Sequence, residues 1–243
     1  MNKILIIFLL LFLFSCAPNN KSALFGIWKS NKEYYYKAID IALGRAIRGQ
    51  IAEELYHFGK EKYDINIINY TYDAVVDRRR LGIILKYDTE YDSMHRSRFR
   101  EDSTKTAAIS RKFNQVIEYQ PSIPKFEEGN DFVFYYSLQN EAITDANWKV
   151  EKKYKKSIIK HFSEIWEILP IFRSTTVFYL KDADIEKYSK SGLSQQIYEA
   201  YFNKLKKFDL LNYLKTEKDF ILKFDSKENL DKNYKGNLFD YSR

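Results

Sequence analysis

The strongest constraint on this chain lies at its N terminus, where an apolar run ends beside the only cysteine of the sequence. Lys3 precedes the run, residues 4–14 form it, and Ser15 and Cys16 follow it. A helix of that length spans roughly 16 Å, whereas the hydrocarbon of a bilayer is about 30 Å thick. Pro18 then opposes any extension. The segment therefore has the size of a secretory signal core rather than that of a transmembrane helix.

The four residues Leu13-Phe14-Ser15-Cys16 resemble the lipobox of bacterial lipoproteins, although Phe14 departs from the stricter versions of that motif. The resemblance implies that residues 1–15 are a signal peptide. It also implies that Cys16 is lipidated and becomes the first residue of the mature chain. Cleavage without lipidation and a retained anchor are the two alternatives.

Lipidation implies a location in the cell envelope, because the lipid holds the chain at a bacterial membrane. The resemblance implies a diacylglyceryl group and often a third acyl chain, and two or more chains bind a membrane firmly. Ala17 stands where an aspartate often marks inner-membrane retention, so the outer membrane is favoured. The leaflet is left open.

Charge and cysteine content limit the partners and the chemistry. The net charge is +7, and removal of Lys3 with the signal peptide lowers it to +6. Such a surface favours an anionic envelope component, although a merely solvated basic surface is the alternative. Nucleic acid is not expected outside the cell. Without a cysteine after Cys16, an intramolecular disulfide, a cysteine zinc site and thiol catalysis are all excluded.

The remaining chain predicts a short polar tether at 16–23 and a single globular domain over 24–243. We expect an α+β fold in which a mainly antiparallel sheet packs with two or three amphipathic helices. Apolar residues at helical spacing predict helices at 37–58, which Gly59 would end, and at 145–169, which Pro170 would end. A third helix would follow a cap at Ser191 or Ser194.

Alternating and β-prone segments predict the strands. They lie at 63–76, 81–91, 113–119, 131–138, 175–180 and 220–224, with the first two forming a hairpin around a charged loop at 77–80. The sequence shows no internal repeat, and its tail from Ser226 is polar. Gly26-Ile27-Trp28 resembles the opening of lipocalins, but the segment that follows does not read as their series of strands.

No catalytic residue, metal site or cofactor is predicted. His57, His95 and His161 have no metal-ligand spacing, and two of them lie on predicted helices. Ser194 follows Gly192 as in a nucleophile elbow, but the second glycine of that motif is missing. Ser194 therefore fits a helix cap better than a nucleophile.

Arginines form the best remaining candidate site. They are Arg78, Arg79, Arg80, Arg96, Arg98 and Arg100. Guanidinium groups bind phosphate and carboxylate through paired hydrogen bonds, so loops brought to one end of the hairpin would form a weak anion site. A solvated turn is the alternative.

These observations favour a non-enzymatic envelope lipoprotein whose domain binds a ligand or a partner. Two hypotheses from other classes remain: an exported hydrolase without a recognisable motif, and a structural component of the envelope. A deep pocket with clustered titratable groups would favour the hydrolase.

Overall fold

The computed structural model describes residues 32–75, 78–97, 100–127 and 131–242, and these residues have the predicted α+β fold. The chain divides into two compact units, unit 1 (residues 1–138) and unit 2 (residues 139–243). The predicted signal peptide, Cys16, the tether and the lipocalin-like tripeptide lie outside the described residues. A single domain over 24–243 stays a prediction, and the helices outnumber the two or three expected.

Unit 1 is built on a mixed sheet of three strands. Its elements are α1 (Lys32–Ala42), α2 (Gln50–Tyr63), β1 (Ile67–Val75), β2 (Arg78–Leu85), α3 (Asp88–Ser93), β3 (His95–Ser97), β4 (Arg100–Glu101), α4 (Ser103–Val116) and β5 (Phe132–Ser137). The central strand, β2, pairs with β1 antiparallel and with β5 parallel. Strands β3 and β4 form a short antiparallel ribbon. The predicted hairpin and the predicted strand at 131–138 are thereby confirmed.

The predicted helix at 37–58 is wrong as one element, because α1 and α2 are separated by residues 43–49. Gly44 has φ +71°, a conformation that glycine adopts without strain. Ile47, which continues the helical spacing of apolar residues through 51 and 55, is 90% exposed. Helix α2 also continues past Gly59, where a Cβ would lie 2.9 Å from Ile67 Cδ1. This glycine therefore permits close packing of the helix on the sheet and does not end it.

The core of unit 1 lies on one face of this sheet. Leu81, Ile83 and Leu85 of β2 are fully buried there. Leu55 of α2 and Phe113 of α4 belong to the same apolar cluster. Burial of each such side chain contributes about 1.5–3 kcal/mol, so the two helices are held mainly by these contacts.

Two local predictions for unit 1 are corrected. The segment at 113–119 is not a strand, because residues up to Val116 belong to α4 and Phe113 faces the core. Asp102 caps this helix, accepting hydrogen bonds from the amides of Thr104 (3.0 Å) and Lys105 (3.2 Å). Arg78–Arg80 were expected in a loop, but they open β2 and pair with β1.

Unit 2 has a second three-stranded mixed sheet. Its elements are α5 (Leu138–His161, starting at the last residue of unit 1), β6 (Glu167–Ile171), β7 (Ser174–Tyr179), α6 (Asp182–Lys190), α7 (Leu193–Lys206), a 3₁₀ turn (Glu217–Asp219), β8 (Ile221–Ser226), α8 (Lys227–Tyr234) and α9 (Leu238–Tyr241). The central strand, β7, pairs with β6 antiparallel and with β8 parallel. The strands predicted at 175–180 and 220–224 are confirmed.

The helix predicted at 145–169 ends earlier, at His161, and Pro170 lies inside β6. Proline is tolerated there because β6 is an edge strand, whose outward amides need no partner strand. The helix predicted after residue 191 exists as α7, but its N-cap is Gly192 and not a serine. Ser194 instead pairs with the hydroxyl of Tyr179 at 2.9 Å.

The two units repeat one topology. In each, an antiparallel hairpin is followed by two helices and then by a third strand that runs parallel to the second strand of the hairpin; unit 1 also has the β3–β4 ribbon between its two helices. The registers also correspond, because Leu85 pairs with Ser137 in unit 1 and Tyr179 pairs with Ser226 in unit 2. The repeat is invisible in the sequence because the central strands use different residues, aliphatic in β2 and hydroxyl-bearing or aromatic in β7.

Candidate ligand-binding groove

An open groove of about 400 Å³ lies in unit 1, where α4 faces the start of β5. We call it the α4–β5 groove. Its volume is within the range of small-molecule and cofactor sites in proteins. Its described lining residues are Glu101, Ser103, Thr106, Ala107, Ser110, Phe126, Asp131, Phe132 and Val133.

The groove exists because one face of α4 carries small side chains. Ser103, Thr106, Ala107 and Ser110 follow at helical spacing and line it. The neighbouring face carries Phe113 together with Ile109, and both are fully buried in the core. The helix is therefore fixed by its large residues, while its small residues leave space beside the sheet.

The opposite wall of the groove is the first part of β5. Val133 and Tyr135 alternate into the core, while Phe132 is 41% exposed. Strand β5 pairs with β2 along one edge, and the described part of the chain places no strand along the other. This edge therefore carries backbone groups that no neighbouring described strand satisfies.

Asn114 of α4 fixes the end wall of the groove. Its amide nitrogen donates to the carbonyl of Phe126 at 2.8 Å, and its carbonyl oxygen accepts from the Phe126 amide at 2.7 Å. These two bonds tie the segment between α4 and β5 to the helix. Phe126, which is 5% exposed, is held in place by the backbone at the boundary of core and groove.

Asp131 is a structural carboxylate at the entrance to β5. It accepts hydrogen bonds from the Arg79 amide (2.8 Å), the Arg79 Nε (2.9 Å) and the Glu127 amide (2.6 Å), and its side chain is 1% exposed. Burial alone would raise the pKa of Asp131, but these amides and the guanidinium outweigh burial and lower the pKa. Asp131 is therefore charged and already compensated.

Glu101 differs from Asp131 because it forms no ion pair with any described residue. It lies in β4 at the groove, half-buried, and pairs through its backbone with His95. The nine described lining residues include no lysine, arginine or histidine. Among the described residues, the groove therefore presents one carboxylate without an ion-pair partner, although the whole chain is positively charged.

Behind the groove, aromatic residues connect it to the β3–β4 ribbon. Tyr135 shares a 3.3 Å hydrogen bond with Thr106, and burial raises the pKa of Tyr135 far above its ordinary value. His95 packs on Tyr91 with ring centroids 4.2 Å apart, and its Nδ1 lies 2.7 Å from the Tyr91 carbonyl oxygen. These contacts hold His95 as a packing residue.

The arginines predicted to form an anion site are mostly paired with carboxylates. Arg79 contacts Asp131 and Glu127 (2.7 Å), Arg80 contacts Asp73 (2.7 Å), and Arg96 contacts Asp102 (3.5 Å). Arg78 and Arg100 are exposed and have no ion pair with a described residue. Arg98, like Cys16, lies outside the described residues.

The position in unit 2 that corresponds to the α4–β5 groove of unit 1 is filled by side chains. Phe220 directly precedes β8 as Asp131 directly precedes β5. Phe220 is only 3% exposed and stacks on Tyr201 of α7, with ring centroids 5.9 Å apart and planes at 13°. Tyr198 of α7 also donates to the Glu217 carbonyl at 2.7 Å. Large side chains thus occupy the space that small residues leave open in unit 1.

A second polar cluster, in unit 2, is structural. The Asn147 carbonyl oxygen accepts from Tyr201 (2.7 Å) and Thr175 (2.8 Å), and its amide nitrogen donates to the carbonyls of Phe172 (2.8 Å) and Ser174 (2.9 Å). All four bonds of this amide are used, and Asn147 is fully buried. The cluster ties α5 and α7 to the β6–β7 hairpin and has no group left for a ligand.

Within the described ranges, no group of three histidine, cysteine or acidic residues could hold a metal ion. The same ranges contain no helix long and apolar enough to cross a membrane. Comparisons with protein-family models, with curated proteins and with solved structures give no match.

The α4–β5 groove is not among the sites predicted from the sequence. The signal that could have revealed it is the spacing of Ser103, Thr106, Ala107 and Ser110, which places four small residues on one helical face. These four residues carry no apolar periodicity, and the apolar residues at 113–119 that follow them suit a strand, so local pattern alone does not predict the helix.

Proposed function

We propose that this protein is an envelope lipoprotein that is anchored by lipid on Cys16. Its folded part binds a ligand without changing it chemically. The observation that carries the anchor is the segment Leu13-Phe14-Ser15-Cys16 after a signal-like apolar run. The observation that supports binding is the α4–β5 groove, which is wide enough for a ligand and open to solvent.

The bond of Thr106 favours binding over catalysis at that residue. Its hydroxyl is paired with Tyr135 at 3.3 Å. A threonine nucleophile needs an adjacent base within hydrogen-bond reach, and the Tyr135 phenol is not such a base because burial raises its pKa. An exported hydrolase and a structural envelope component are the rival functions.

Site-specific photo-crosslinking in living cells tests the proposal. A photoreactive amino acid at Thr106, inside the groove, should give a defined adduct in the membrane fraction. The same residue at Thr104, which is exposed on α4 outside the groove lining, is the matched control. Adducts that are absent, or equal at both positions, would contradict a binding role for the groove. Release of a chemically altered ligand would favour the hydrolase.

A further inference from the structure

We propose that the α4–β5 groove binds a small organic amine, whose protonated nitrogen pairs with Glu101 and whose apolar part packs on Phe132. This inference rests on the proposed binding function and specifies the chemical class of the ligand.

The size of the groove favours a small molecule. Its volume of about 400 Å³ lies near the lower end of the range for small-molecule sites. Only Phe132 and Val133 of β5 line it, so the strand contributes two residues to the wall opposite α4. Two strand residues span roughly 7 Å, which suits one ring or a short alkyl chain that carries an amino group.

Two carboxylates line the groove, and one of them is available to a ligand. Asp131 already accepts three hydrogen bonds, and its side chain is 1% exposed against Arg79. Glu101 is half-buried, and its carboxylate forms no ion pair or hydrogen bond with any described residue. A partly shielded carboxylate attracts a cation more strongly than an exposed one, because water and salt screen it less. Glu101 therefore supplies the charge contact for the ligand.

The rest of the lining disfavours an anion. The nine described lining residues include no lysine, arginine or histidine. The first turn of α4 also lies at the groove, and the free amides of a helix N terminus attract anions. Asp102 already caps this turn, because its carboxylate accepts from the amides of Thr104 and Lys105. An anionic ligand would therefore meet carboxylates without a cation in the described lining.

Phe132 supplies the apolar contact. Its side chain is 41% exposed, whereas Phe126 and Val133, which also line the groove, are buried. A ligand that covers this ring removes apolar surface from water, and the face of an aromatic ring also attracts ammonium groups. A neutral sugar would leave Glu101 unpaired, and an inorganic cation would leave Phe132 uncovered. An amine with an apolar body satisfies both residues.

Unit 2 offers no equivalent site. Phe220 takes the place there that Asp131 has in unit 1, and it stacks on Tyr201 of α7. Its side chain is only 3% exposed, so the space is closed. We therefore expect one amine per chain.

Calorimetric titration of the mature lipoprotein, held in nanodiscs of neutral lipid, tests the charge of the ligand. The probes are phenethylamine, hexylamine and cyclohexylmethylamine, each compared with its N-acetyl derivative and with the carboxylate on the same apolar group. Empty nanodiscs correct for partitioning into lipid. At least one amine should bind once per chain and at least about tenfold more tightly than its neutral and anionic counterparts. No binding by any of the three amines, or equal binding of the three charge forms, would overturn the inference.

Two substitutions separate the charge contact from the apolar contact. Glu101→Gln should lower the affinity for the amine at least about tenfold and leave the N-acetyl derivative unaffected. Glu118→Gln, at an exposed position outside the groove lining, is the matched control and should change neither. Phe132→Ala should weaken the amine and its N-acetyl derivative by the same factor, because both lose the apolar contact. Circular dichroism checks folding; if Phe132→Ala does not fold, the two glutamate variants decide. Amine affinity that survives Glu101→Gln contradicts the inference.

The native ligand separates failure of this inference from failure of the proposed function. The adduct that forms at Thr106 in living cells should contain a basic nitrogen, and added amine should lower its yield. An adduct that lacks a basic nitrogen and is not displaced by the amines would overturn the amine but keep the binding function. Absence of any adduct, together with absence of amine binding, would overturn both.

Discussion

The Ser137 hydroxyl donates a hydrogen bond to the Asp88 carboxylate at 2.5 Å. This bond joins the end of β5 to the first turn of α3, the helix that follows β2. Ser226 makes the same bond to Asp182 in unit 2. Both aspartates lie three residues after the end of their central strand, and both serines end the parallel strand beside it. The repeated pair locks a helix onto each sheet at the carboxyl end of its parallel strands.

Because the acceptor is a carboxylate, we expect this bond to stabilise unit 2 appreciably. Ser226 also caps α8, since its hydroxyl oxygen accepts from the Asn229 amide at 2.8 Å. Ser226→Ala should therefore lower the free energy of unfolding by about 2 kcal/mol, as measured by urea denaturation. Ser189→Ala, at an exposed position in α6, is the control and should change it by less than about 0.5 kcal/mol. Equal effects of the two substitutions would contradict this role.

The lowered pKa of Asp131 leads us to expect that the protein loses stability in acid. Its pKa is lowered in the folded protein, so the folded state binds a proton less readily than the unfolded state does. Its stabilising contribution is therefore present above the pKa of the unfolded state, about 3.9. It is lost as the pH falls through the lower pKa of the folded state.

Asp131→Asn should cost about 3 kcal/mol at neutral pH, because Arg79 loses its buried charged partner. The cost should shrink as the pH falls below about 4, since the unfolded chain takes up a proton there that the folded carboxylate accepts only at a lower pH. Thermal unfolding of both proteins across this range measures the difference. A cost that is independent of pH would show that the charge of Asp131 does not stabilise the fold.

The backbone conformation of Phe172 leads us to expect that one substitution there stabilises the protein. It lies in the turn between β6 and β7 with φ +52°, a left-handed conformation that is strained for a bulky residue, and its side chain is 56% exposed. Asparagine adopts this conformation more readily. Phe172→Asn should raise the free energy of unfolding by about 0.5–1 kcal/mol. Phe172→Ala removes the same ring but keeps the strain, so it should not stabilise; equal stabilisation by both would refute the backbone explanation.

The proposed contact with an anionic envelope component now rests on Arg78 and Arg100, because three of the other arginines are paired with carboxylates. Protein in neutral nanodiscs should bind anionic vesicles at low salt and lose them at about 0.5 M salt. The double variant Arg78→Gln/Arg100→Gln should bind more weakly than Lys152→Gln/Lys156→Gln, which removes the same charge from exposed positions on α5. Identical binding of the two would show a nonspecific effect of net charge.

The sequence predicted the α+β class because segments such as Phe132–Ser137 are rich in β-prone residues, and that segment forms a strand buried on alternate residues. It failed where local patterns were ambiguous. The apolar residues at 113–119 suit a short strand, but the core contact of Phe113 and the cap at Asp102 extend a helix through them. The break after α1 was missed because Ile47 continues the helical period while pointing into solvent.

The groove and the repeat could not be predicted, because both depend on contacts between segments distant in the chain. The partner of Arg79 is Asp131, 52 residues away, so the arginine run appeared free when read locally. Similarly, Ser137 and Asp88 are separated by 49 residues, and no local pattern in either segment predicts their hydrogen bond. Local propensity determines elements, whereas the pairing of strands decides which polar groups meet.

The most direct test of the account is the intact mass of the protein extracted from native membranes. The account predicts the loss of residues 1–15 and a diacylglyceryl or triacyl addition on Cys16, and it predicts that a Cys16→Ser variant carries no such addition. A membrane-extracted chain that retains residues 1–15, or a soluble chain with an unmodified Cys16, would contradict it.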